Sequence, residues 1–352
     1  MIPHVEIRNK YNLKTVAIVE PQECWFELLY QEVGEFEIFC RATKSNLKAL
    51  QKGRYVTLPN KRFIWVITSI RYTFNASGSR MVIARGYGAK WLLSKRCVLD
   101  PTELQGKLTT ALYSLVNSNL GAAAETERQI QCFTVDNTEL ADEISQIQAV
   151  RGNLLDFEIE LLKTYKYGSQ VIFEGGNLVY KIYKGADKTK GVRFSQSFDN
   201  LLSSQYLTDE SGVGTYAKVV SVVDEKEYTQ THSTGASGVD RAEIVVNSNL
   251  STTYKDANGN EKTTAPTSEL YTGWLIEEGK KEIASRTMVE EFDGEIDLQN
   301  SMYEFDKDFY IGDKVQAMDE YFDIAKSVRI TKYTIKQDAN GYGEEAEYGE
   351  EV

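Results

Sequence analysis

Two histidines, His4 and His232, are the only imidazoles that the chain offers for a Ser-His-Asp or Cys-His site. His4 lies close to the N-terminus, and His232 lies in a polar run between residues 229 and 238. We interpret both as solvated surface residues. The sequence therefore argues against an enzyme that depends on a histidine base.

The cysteines show neither C-x-x-C spacing nor a neighbouring histidine; they are Cys24, Cys40, Cys97 and Cys132. Zinc sites are built from closely spaced cysteine and histidine ligands. We therefore predict no zinc site. The interpretation that fits best is a set of buried free thiols, which suits synthesis in a reducing cytoplasm.

Two short stretches begin like ligand-binding motifs and then depart from them. GYGAKW at 86–91 lacks the third glycine of a dinucleotide fingerprint and lies among predicted strands. DANGN at 256–260 starts like a calcium loop but has Glu261 in place of glycine and Thr267 in place of the final glutamate. The P-loop, H-E-x-x-H and G-x-S-x-G patterns are absent. We predict no cofactor.

Two kinds of side chain leave other functions open. Carboxylate pairs such as Glu290/Glu291 and Asp306/Asp308 could serve glycoside hydrolysis, which needs two carboxylates at a set separation. Chance pairs are expected among 52 acidic residues, and solvated strand faces explain them better. Exposed aromatics such as Trp91 could bind sugars, although packing and interfaces are their commoner use. A cell-wall hydrolase and a carbohydrate-binding receptor module remain the alternatives.

Composition indicates a soluble, β-rich protein of 352 residues with a net charge of −12. This length allows roughly two or three domains. Plentiful tyrosine (21) and phenylalanine (14) with scarce proline (5) favour β-structure. Acids outnumber bases, which argues against a protein that grips nucleic acid through phosphates. The start of the chain shows no secretory signal, and the run FIWVI (63–67) is too short to cross a membrane.

The pattern of segments predicts three regions. Residues 1–98 contain six or so short strands with close turns, which indicates a first β-barrel-like domain. Residues 99–190 form an α+β unit, and residues 191–352 return to strands as a second β-barrel-like domain with a helical segment at 268–286. The predicted fold class is mainly β with an α+β insertion: two β-barrel-like domains plus helical elements.

Local signals predict the elements of the α+β unit. Apolar residues at helical spacing between 108 and 120 end at Gly121, a common helix-ending residue. A second helix is predicted over residues 153–164, with Asn153 as its N-cap. Gly175 and Gly176 allow the positive φ angles that a tight hairpin within 170–185 requires.

Three segments, taken in order, carry a resemblance to a known family. They are VGEFEIFCRATKSNLKALQKGRYV (33–56), IYKGADKTKGVRFSQSFDNLLSSQYLTD (182–209) and DFYIGDKVQAMDEYFDIAKSVRITKYTIKQDANGYGEEAEYG (308–349). The chain resembles the baseplate-hub or tail-tip proteins of long-tailed bacteriophages nearly from end to end. The set it resembles most is the siphophage tail proteins related to the N-terminal region of the tail-associated lysin.

Seven residues fall on the motifs of that family, and the resemblance implies a structural role for each. They are Asp187, Arg193, Phe194, Ser195, Gly312, Asp313 and Arg329. We expect the first four to fix a turn and the entry of a strand in the second barrel-like domain. The resemblance implies no catalytic residue, no cofactor-binding residue and no metal ligand.

The resemblance implies a structural baseplate hub protein of the virion, not an enzyme. Two barrel-like domains per subunit in a homotrimer would form a ring that adapts the sixfold tail tube to a threefold tip. DNA would pass through its channel during ejection without specific binding. The implied partners are a distal tail protein, the ring on the tail-tube side, and tip or receptor-binding proteins. The resemblance also implies synthesis in the host cytoplasm, assembly into the tail tip and no membrane insertion.

Overall fold

The structure is a computed structural model that describes residues 4–74, 78–256, 259–287, 289–299, 301–339 and 341–349. The side chains of residues 145, 146 and 289–291 lie outside this description. Among the described residues, no helix combines the length and hydropathy that crossing a bilayer would require.

The first region consists of seven strands and one short helix. The elements are β1 (Val5–Arg8), β2 (Thr15–Val19), β3 (Glu23–Leu29), β4 (Glu35–Arg41), α1 (Lys44–Ala49), β5 (Tyr55–Thr57), β6 (Ile64–Phe74) and β7 (Arg80–Gly88). The alternating sequence EFEIFCR forms β4, whose Phe36, Ile38 and Cys40 are buried. The period-2 pattern thus places one face of this strand in the core.

The second region contains the predicted α+β unit. Its elements are β8 (Cys97–Val98), β9 (Thr102–Lys107), α2 (Leu108–Leu120), β10 (Phe133–Val135), β11 (Glu143–Ala149), β12 (Gly152–Asn153), α3 (Leu154–Tyr165), β13 (Gly168–Glu174) and β14 (Asn177–Tyr183). Both predicted helices are confirmed, and the side chain of Asn153 accepts a hydrogen bond from the N–H of Leu155 as an N-cap. The predicted hairpin is confirmed, with φ of 58° at Gly175 and 82° at Gly176.

The third region adds eleven strands and one long helix. They are β15 (Arg193–Ser195), β16 (Leu201–Asp209), β17 (Tyr216–Val223), β18 (Lys226–Ser233), β19 (Glu243–Ser248), β20 (Thr253–Lys255), β21 (Glu261–Thr263), α4 (Glu269–Ala284), β22 (Val289–Asp297), β23 (Lys314–Asp319), β24 (Ile324–Asp338) and β25 (Gly341–Gly349). The helix predicted at 268–286 is α4, and Ser268 accepts a hydrogen bond from the N–H of Tyr271 as its N-cap.

One large sheet joins the first and third regions. Its 13 strands follow the order β16-β22-β25-β24-β3-β4-β7-β6-β5-β1-β2, with β23 paired to β24 and β15 paired to β23. The connection between regions is the antiparallel pairing of β24 with β3, from Lys332 opposite Leu29 to Gln337 opposite Cys24. The mainly β fold with helical elements is confirmed.

The sheets differ from the expected barrels in two respects. In the described part of the chain, the 13-stranded sheet ends at β2 and β16 and does not close. Strands of the two predicted barrel-like domains also share this sheet, because β24 offers backbone groups to β3 as well as to its own neighbours. The predicted domain boundaries at 98/99 and 190/191 stay predictions.

The main core lies along this sheet and draws residues from both of its halves. Phe26, Phe36 and Trp65 of the first region are fully buried in the same cluster as Phe305 and Tyr333 of the third. The Phe305 and Tyr333 rings stack with centroids 3.6 Å apart. Burying a large side chain contributes about 1.5–3 kcal/mol, so the two halves stabilise each other.

Residues 210–287 contain β17 to β21 and α4. In the chain they come between β16 and β22, two strands of the main sheet, and they pack against the α+β unit. Strand β20 pairs with β9, and β21 pairs with β20, so this four-stranded sheet has the order β11-β9-β20-β21. The side chain of Gln148 exchanges two 3.0 Å hydrogen bonds with the backbone of Ser251. The helical part of the third region is therefore attached to the second region as well as to the main sheet.

A buried ion pair stabilises the position of α3 in the α+β unit. The Nζ atom of Lys90 lies 2.9 Å from Oε2 of Glu158, and both side chains are almost completely buried. The other oxygen of Glu158 accepts hydrogen bonds from Tyr180 Oη (2.7 Å) and Ser169 Oγ (2.5 Å). Lys90 lies in the GYGAKW stretch, which therefore contributes a structural cation and not a nucleotide loop.

Replacing Lys90 with methionine should lower the free energy of unfolding by about 3–5 kcal/mol, because it leaves the Glu158 carboxylate unpaired in the interior. The double variant K90M/E158Q should be more stable than K90M, since glutamine keeps a neutral acceptor for the Tyr180 hydroxyl. Urea unfolding of the two variants measures both values. A double variant less stable than K90M would contradict this explanation.

The four cysteines fall into two classes. Cys24 and Cys40 are buried, as expected, whereas Cys97 is exposed and Cys132 is half-buried. The prediction of four buried thiols is therefore wrong for two of them, because burial depends on tertiary neighbours that spacing does not reveal. Burial raises the pKa of Cys24 and of Cys40 to about 12.

We expect a thiol reagent at neutral pH to modify Cys97 first and Cys132 more slowly. Cys24 and Cys40 should react only after unfolding, because their thiolates are scarce and inaccessible. Peptide mapping of the native and urea-unfolded protein after timed labelling tests this order. Labelling of Cys40 in the native state at the rate of Cys97 would refute it.

Candidate functional site

Strand β24 changes its pairing partner on one edge at Thr331. Residues 324–329 pair with β23, and residues 332–337 pair with β3. The register with β25 shifts between Ile330 and Lys332, which marks Thr331 as a β-bulge. A bulge bends its strand, so the three regions can meet at this position.

Tyr30, just after β3, contacts both of the other regions. Its backbone N–H donates to the carbonyl of Thr331 (3.0 Å), and its carbonyl accepts from the N–H of Ser169 (3.3 Å). Its hydroxyl donates to the carbonyl of Lys166 (3.0 Å). The guanidinium carbon of Arg329 lies 5.0 Å from the centre of its ring. We call this meeting point the Tyr30 junction.

Three glycines allow the backbone to approach the Tyr30 junction closely. A Cβ atom on Gly312 or on Gly168 would lie 2.3 Å from Cε2 of Tyr30. A Cβ atom on Gly185 would lie 1.6 Å from the carbonyl oxygen of Gly312. Gly312 also has a φ of +89°, in the left-handed region that favours glycine. Any side chain at these positions would push the regions apart.

Asp313 connects segments on either side of the junction. This buried carboxylate accepts a 2.7 Å hydrogen bond from the N–H of Ala186 through Oδ1 and a 2.8 Å bond from the N–H of Tyr310 through Oδ2. The buried Arg329 donates from Nη1 to the carbonyl of Gly312. The structure therefore brings Gly312, Asp313 and Arg329 together.

The central-motif residues lie beside the same strands. The exposed carboxylate of Asp187 accepts hydrogen bonds from Thr189, from its N–H at 3.0 Å and its hydroxyl at 2.6 Å, and these bonds lower the pKa of Asp187. Asp187 also forms a parallel bridge with Lys314. Strand β15 then pairs in parallel with β23, with Arg193 opposite Gln316.

Phe194 and Ser195 anchor β15, the first through its ring and the second through its backbone N–H. The Phe194 ring is fully buried and makes edge contacts with Tyr303 (5.6 Å) and Phe309 (5.5 Å). The N–H of Ser195 donates to Oδ1 of Asn200 at 2.9 Å. The two motif segments are therefore paired in space. The structural role of the seven motif residues in the family stays a prediction.

Sequence reasoning did not single out Gly168 and Gly185. Each comes at an end of the β13–β14 hairpin, and a glycine at such a place can signal close backbone approach. The residue that requires them, Tyr30, lies more than a hundred positions away, so the signal alone did not identify their partner.

Of the carboxylate pairs considered for catalysis, Asp306 and Asp308 have contacts of their own. Asp308 accepts a 2.8 Å hydrogen bond from the N–H of Glu304, and Asp306 lies 3.9 Å from Arg62. Asp308 therefore supports a turn. The side chains of Glu290 and Glu291 lie outside the described residues.

The residues considered for metals and for histidine chemistry have other surroundings. Among the described residues, no three His, Cys, Asp or Glu side chains are grouped to hold a metal. Asp256 accepts a 2.9 Å hydrogen bond from the N–H of Asn260 and so closes a hairpin tip. His4 and His232 are half-buried, and His232 lies in β18.

Solved structures of phage tail proteins have a similar fold. A tail protein from Neisseria meningitidis MC58 superimposes with a TM-score of 0.58 at 12% identity, covering 98% of this chain and 95% of that one. The 43 kDa tail protein of prophage MuSo2 from Shewanella oneidensis gives 0.58 at 11% identity, with 98% and 97% covered. Prophage tail protein gp18 from Listeria monocytogenes EGD-e gives 0.54 at 14% identity, with 98% and 94% covered. The fold is that of phage tail structural proteins.

The sequence itself identifies the family. The model of the Siphovirus ReqiPepy6 Gp37-like protein family matches residues 4–350. The chain belongs to this family. No curated protein matches it. The resemblance to tail proteins of long-tailed phages is thereby confirmed.

We predict that Gly312→Ala lowers the free energy of unfolding by about 3 kcal/mol, because left-handed strain adds to overpacking against Tyr30. Gly78→Ala is the matched control: its φ is +83° and no atom lies within 4 Å of its Cβ position. The free energy of unfolding of the control should fall by only about 1–2 kcal/mol, which is the cost of the left-handed backbone strain alone. Equal losses in urea unfolding would show that the close contact has no energetic weight.

Proposed function

We propose that this protein is a baseplate hub subunit at the tail tip, and that three copies form a ring around the DNA channel. The observation that carries the proposal is the open sheet. In the described part of the chain, β2 and β16 end the main strand order and are each paired on one side only, as is β15 on the branch through β23. Free sheet edges are sites where another chain can add. Two different edges on one subunit suit a head-to-tail contact, which closes into a ring by rotation.

Exposed apolar side chains on both edge strands support this contact. On β2, Val16 is 45% exposed and Ile18 is 60% exposed. On β16, Leu202 is 54% exposed and Leu207 is 41% exposed. Burying these side chains between subunits would favour association through the hydrophobic effect.

The charge balance supports a channel that lets DNA pass. The net charge of −12 opposes tight contact with phosphates. DNA that moves through a threefold ring joined to a sixfold tube must not be held. We therefore infer that DNA passes through the channel without specific binding.

The remaining parts of the proposal concern location and partners. The ring would lie between a distal tail protein or tube-side ring and the tip or receptor-binding proteins, in a virion assembled after synthesis in the host cytoplasm. We propose no enzymatic activity. Nothing among the described residues favours the two alternatives. Trp91 packs on Tyr87 at 5.7 Å and lies under the ammonium of Lys95 at 4.3 Å.

Native mass spectrometry at high protein concentration should give a particle of three times the 39.8 kDa subunit mass. Cryo-electron microscopy of intact tails should place this ring at the tip. Ile18→Lys should weaken association at least about tenfold, since a buried charge at the edge costs more than 1.4 kcal/mol.

Val222→Lys provides the matched control, because Val222 is 65% exposed but lies on β17, outside the main sheet. It should leave association unchanged. A monomer in the assembled tail would overturn the ring. Equal effects of the two lysine variants would overturn the assignment of the edge. Release of soluble muropeptides from purified cell walls would favour the hydrolase instead.

A further inference from the structure

Basic and acidic residues are unevenly distributed along this chain. Residues 38–99 contain 13 basic residues and no acidic one, whereas the rest of the chain contains 27 basic and 52 acidic residues. The segment includes β5, β6 and β7, in the half of the main sheet that ends at β2. Strands β22 and β25, in the half that ends at β16, contain eight acidic residues and no basic one. The two halves of the sheet therefore differ in charge.

Exposed cations surround α1 and the outer end of the β6–β7 hairpin. The N–H of Ala42 donates to the carbonyl of Arg80 (2.9 Å), and the N–H of Gly53 donates to the carbonyl of Ile67 (2.7 Å), so the turns on both sides of α1 are attached to this hairpin. Six exposed residues form what we call the basic surface, and none of them has an ion pair with a described residue: Arg41, Lys44, Lys48, Lys52, Arg71 and Arg80. Unpaired cations in such number are available to an anionic partner.

The basic surface adjoins the edge strand β2. Helix α1 packs against β2, and Leu47 of the helix lies in the same hydrophobic cluster as Val19 of the strand. Tyr72 and Phe74, on the β6–β7 hairpin, are 63% and 69% exposed. The surface thus combines positive charge with exposed aromatic rings next to one end of the sheet.

The β23–β24 hairpin ends in a tip of the opposite charge, with the sequence DEYFD (319–323). The carboxylate of Asp319, which is 1% exposed, accepts 3.0 Å hydrogen bonds from the N–H groups of Tyr321 and Phe322. Tyr321 is nevertheless 85% exposed and Phe322 is 59% exposed. We call residues 319–323 the acidic tip. Its backbone is held in place while its aromatic rings face solvent, as in a preorganised binding loop.

The acidic tip adjoins the other edge strand, β16. The hydroxyl of Ser204, on β16, donates to Asp319, and the N–H of Ser197, just before β16, donates to Glu320 at 3.4 Å. Hydrogen bonding to the Ser197 side chain lowers the pKa of Glu320. Glu320 and Asp323 are exposed, and neither has an ion pair with a described residue. The two carboxylates are therefore available to a cationic partner.

We propose that the acidic tip of one copy binds the basic surface of the next copy and so orients their head-to-tail contact. Glu320 and Asp323 face Lys44 and Lys48 across the contact, and the two exposed rings of the tip pack on the lysine stems. This inference rests on the proposed ring, because it takes β2 and β16 as the edges that meet.

A second copy fits the basic surface better than duplex DNA does. Each surface has its complement on the same chain, beside the opposite edge strand. DNA phosphates would be attracted by residues 38–99 but repelled by the 52 acidic residues elsewhere. A neighbouring copy that covers these cations also keeps them away from DNA in the channel.

The test measures association of the full chain by sedimentation velocity in low and high salt. In about 0.1 M NaCl, K44E/K48E and E320K/D323K should each weaken association at least about tenfold, because like charges then meet. The loss should shrink in about 1 M NaCl, where charges are screened beyond about 3 Å. The variant with all four substitutions should recover wild-type association within about threefold, since both partners of each pair are reversed.

K218E/K226E is the matched control. Lys218 and Lys226 are exposed, lie on β17 and β18 outside the main sheet, and have no ion pair with a described residue. This variant makes the same change in net charge as K44E/K48E and should leave association unchanged. Circular dichroism should show that all the variants are folded.

The outcomes separate this contact from the ring itself. Wild-type trimers that K44E/K48E does not weaken would overturn the contact and leave the ring standing. Weakening by both double variants without recovery in the combined variant would also overturn the pairing. A wild-type chain that is monomeric in assembled tails would overturn the ring and the contact with it. Unchanged trimers, together with retardation of duplex DNA by the wild type and not by K44E/K48E, would assign the basic surface to DNA.

Discussion

The rest of this structure depends on how closely the backbone can approach one tyrosine ring. Tyr30 lies where Gly168 and Gly312 have no side chain to hold the chain away, and Gly185 approaches the Gly312 carbonyl still more closely. The spaces beside these glycines are too small for a methyl group. Because the chains approach so closely, the backbone of Tyr30 can form hydrogen bonds with Thr331 on one side and with Ser169 on the other. Close packing of this kind transmits displacement, since a well-packed interior has little free volume.

The Tyr30 junction gives the main sheet its unusual composition. Strand β24 can pair with β3 only if its bulge at Thr331 lies beside the end of β3. That pairing makes one sheet from strands near both ends of the chain, and it buries Phe305 and Tyr333 in the same core as Phe26. The two ends of the strand order, β2 and β16, consequently belong to one continuous sheet. In a ring built from head-to-tail contacts, the rotation between subunits follows from how two such edges are arranged.

The elements that the sequence predicts correctly are those whose causes are local. Asn153 and Ser268 cap helices with their own side chains, and Gly175 with Gly176 turns a hairpin whose strands are adjacent in the chain. The pairing of Lys332 with Leu29 has no local signal, because each strand alternates in the same way whichever neighbour it has. The family motifs singled out Gly312 and Asp313 but not Tyr30, the tyrosine against which Gly312 packs. The open sheet, found where barrels were expected, has the same explanation. Closure of a barrel depends on the pairing of edge strands that are distant in the chain.

The attachment of residues 210–287 connects the α+β unit to the edge strand β16. This segment reaches the main sheet through the β16–β22 ribbon, and among the described residues β22 pairs with β25 from Gly294 to Asp297. A two-stranded ribbon is marginally stable by itself, so the outer part of β16 depends on how the segment is held at its other end. That end is held by the hydrogen bonds between Gln148 and Ser251 and by the packing of α4 near α3. The position of the free edge of β16 therefore depends on the α3–α4 contact through the ribbon.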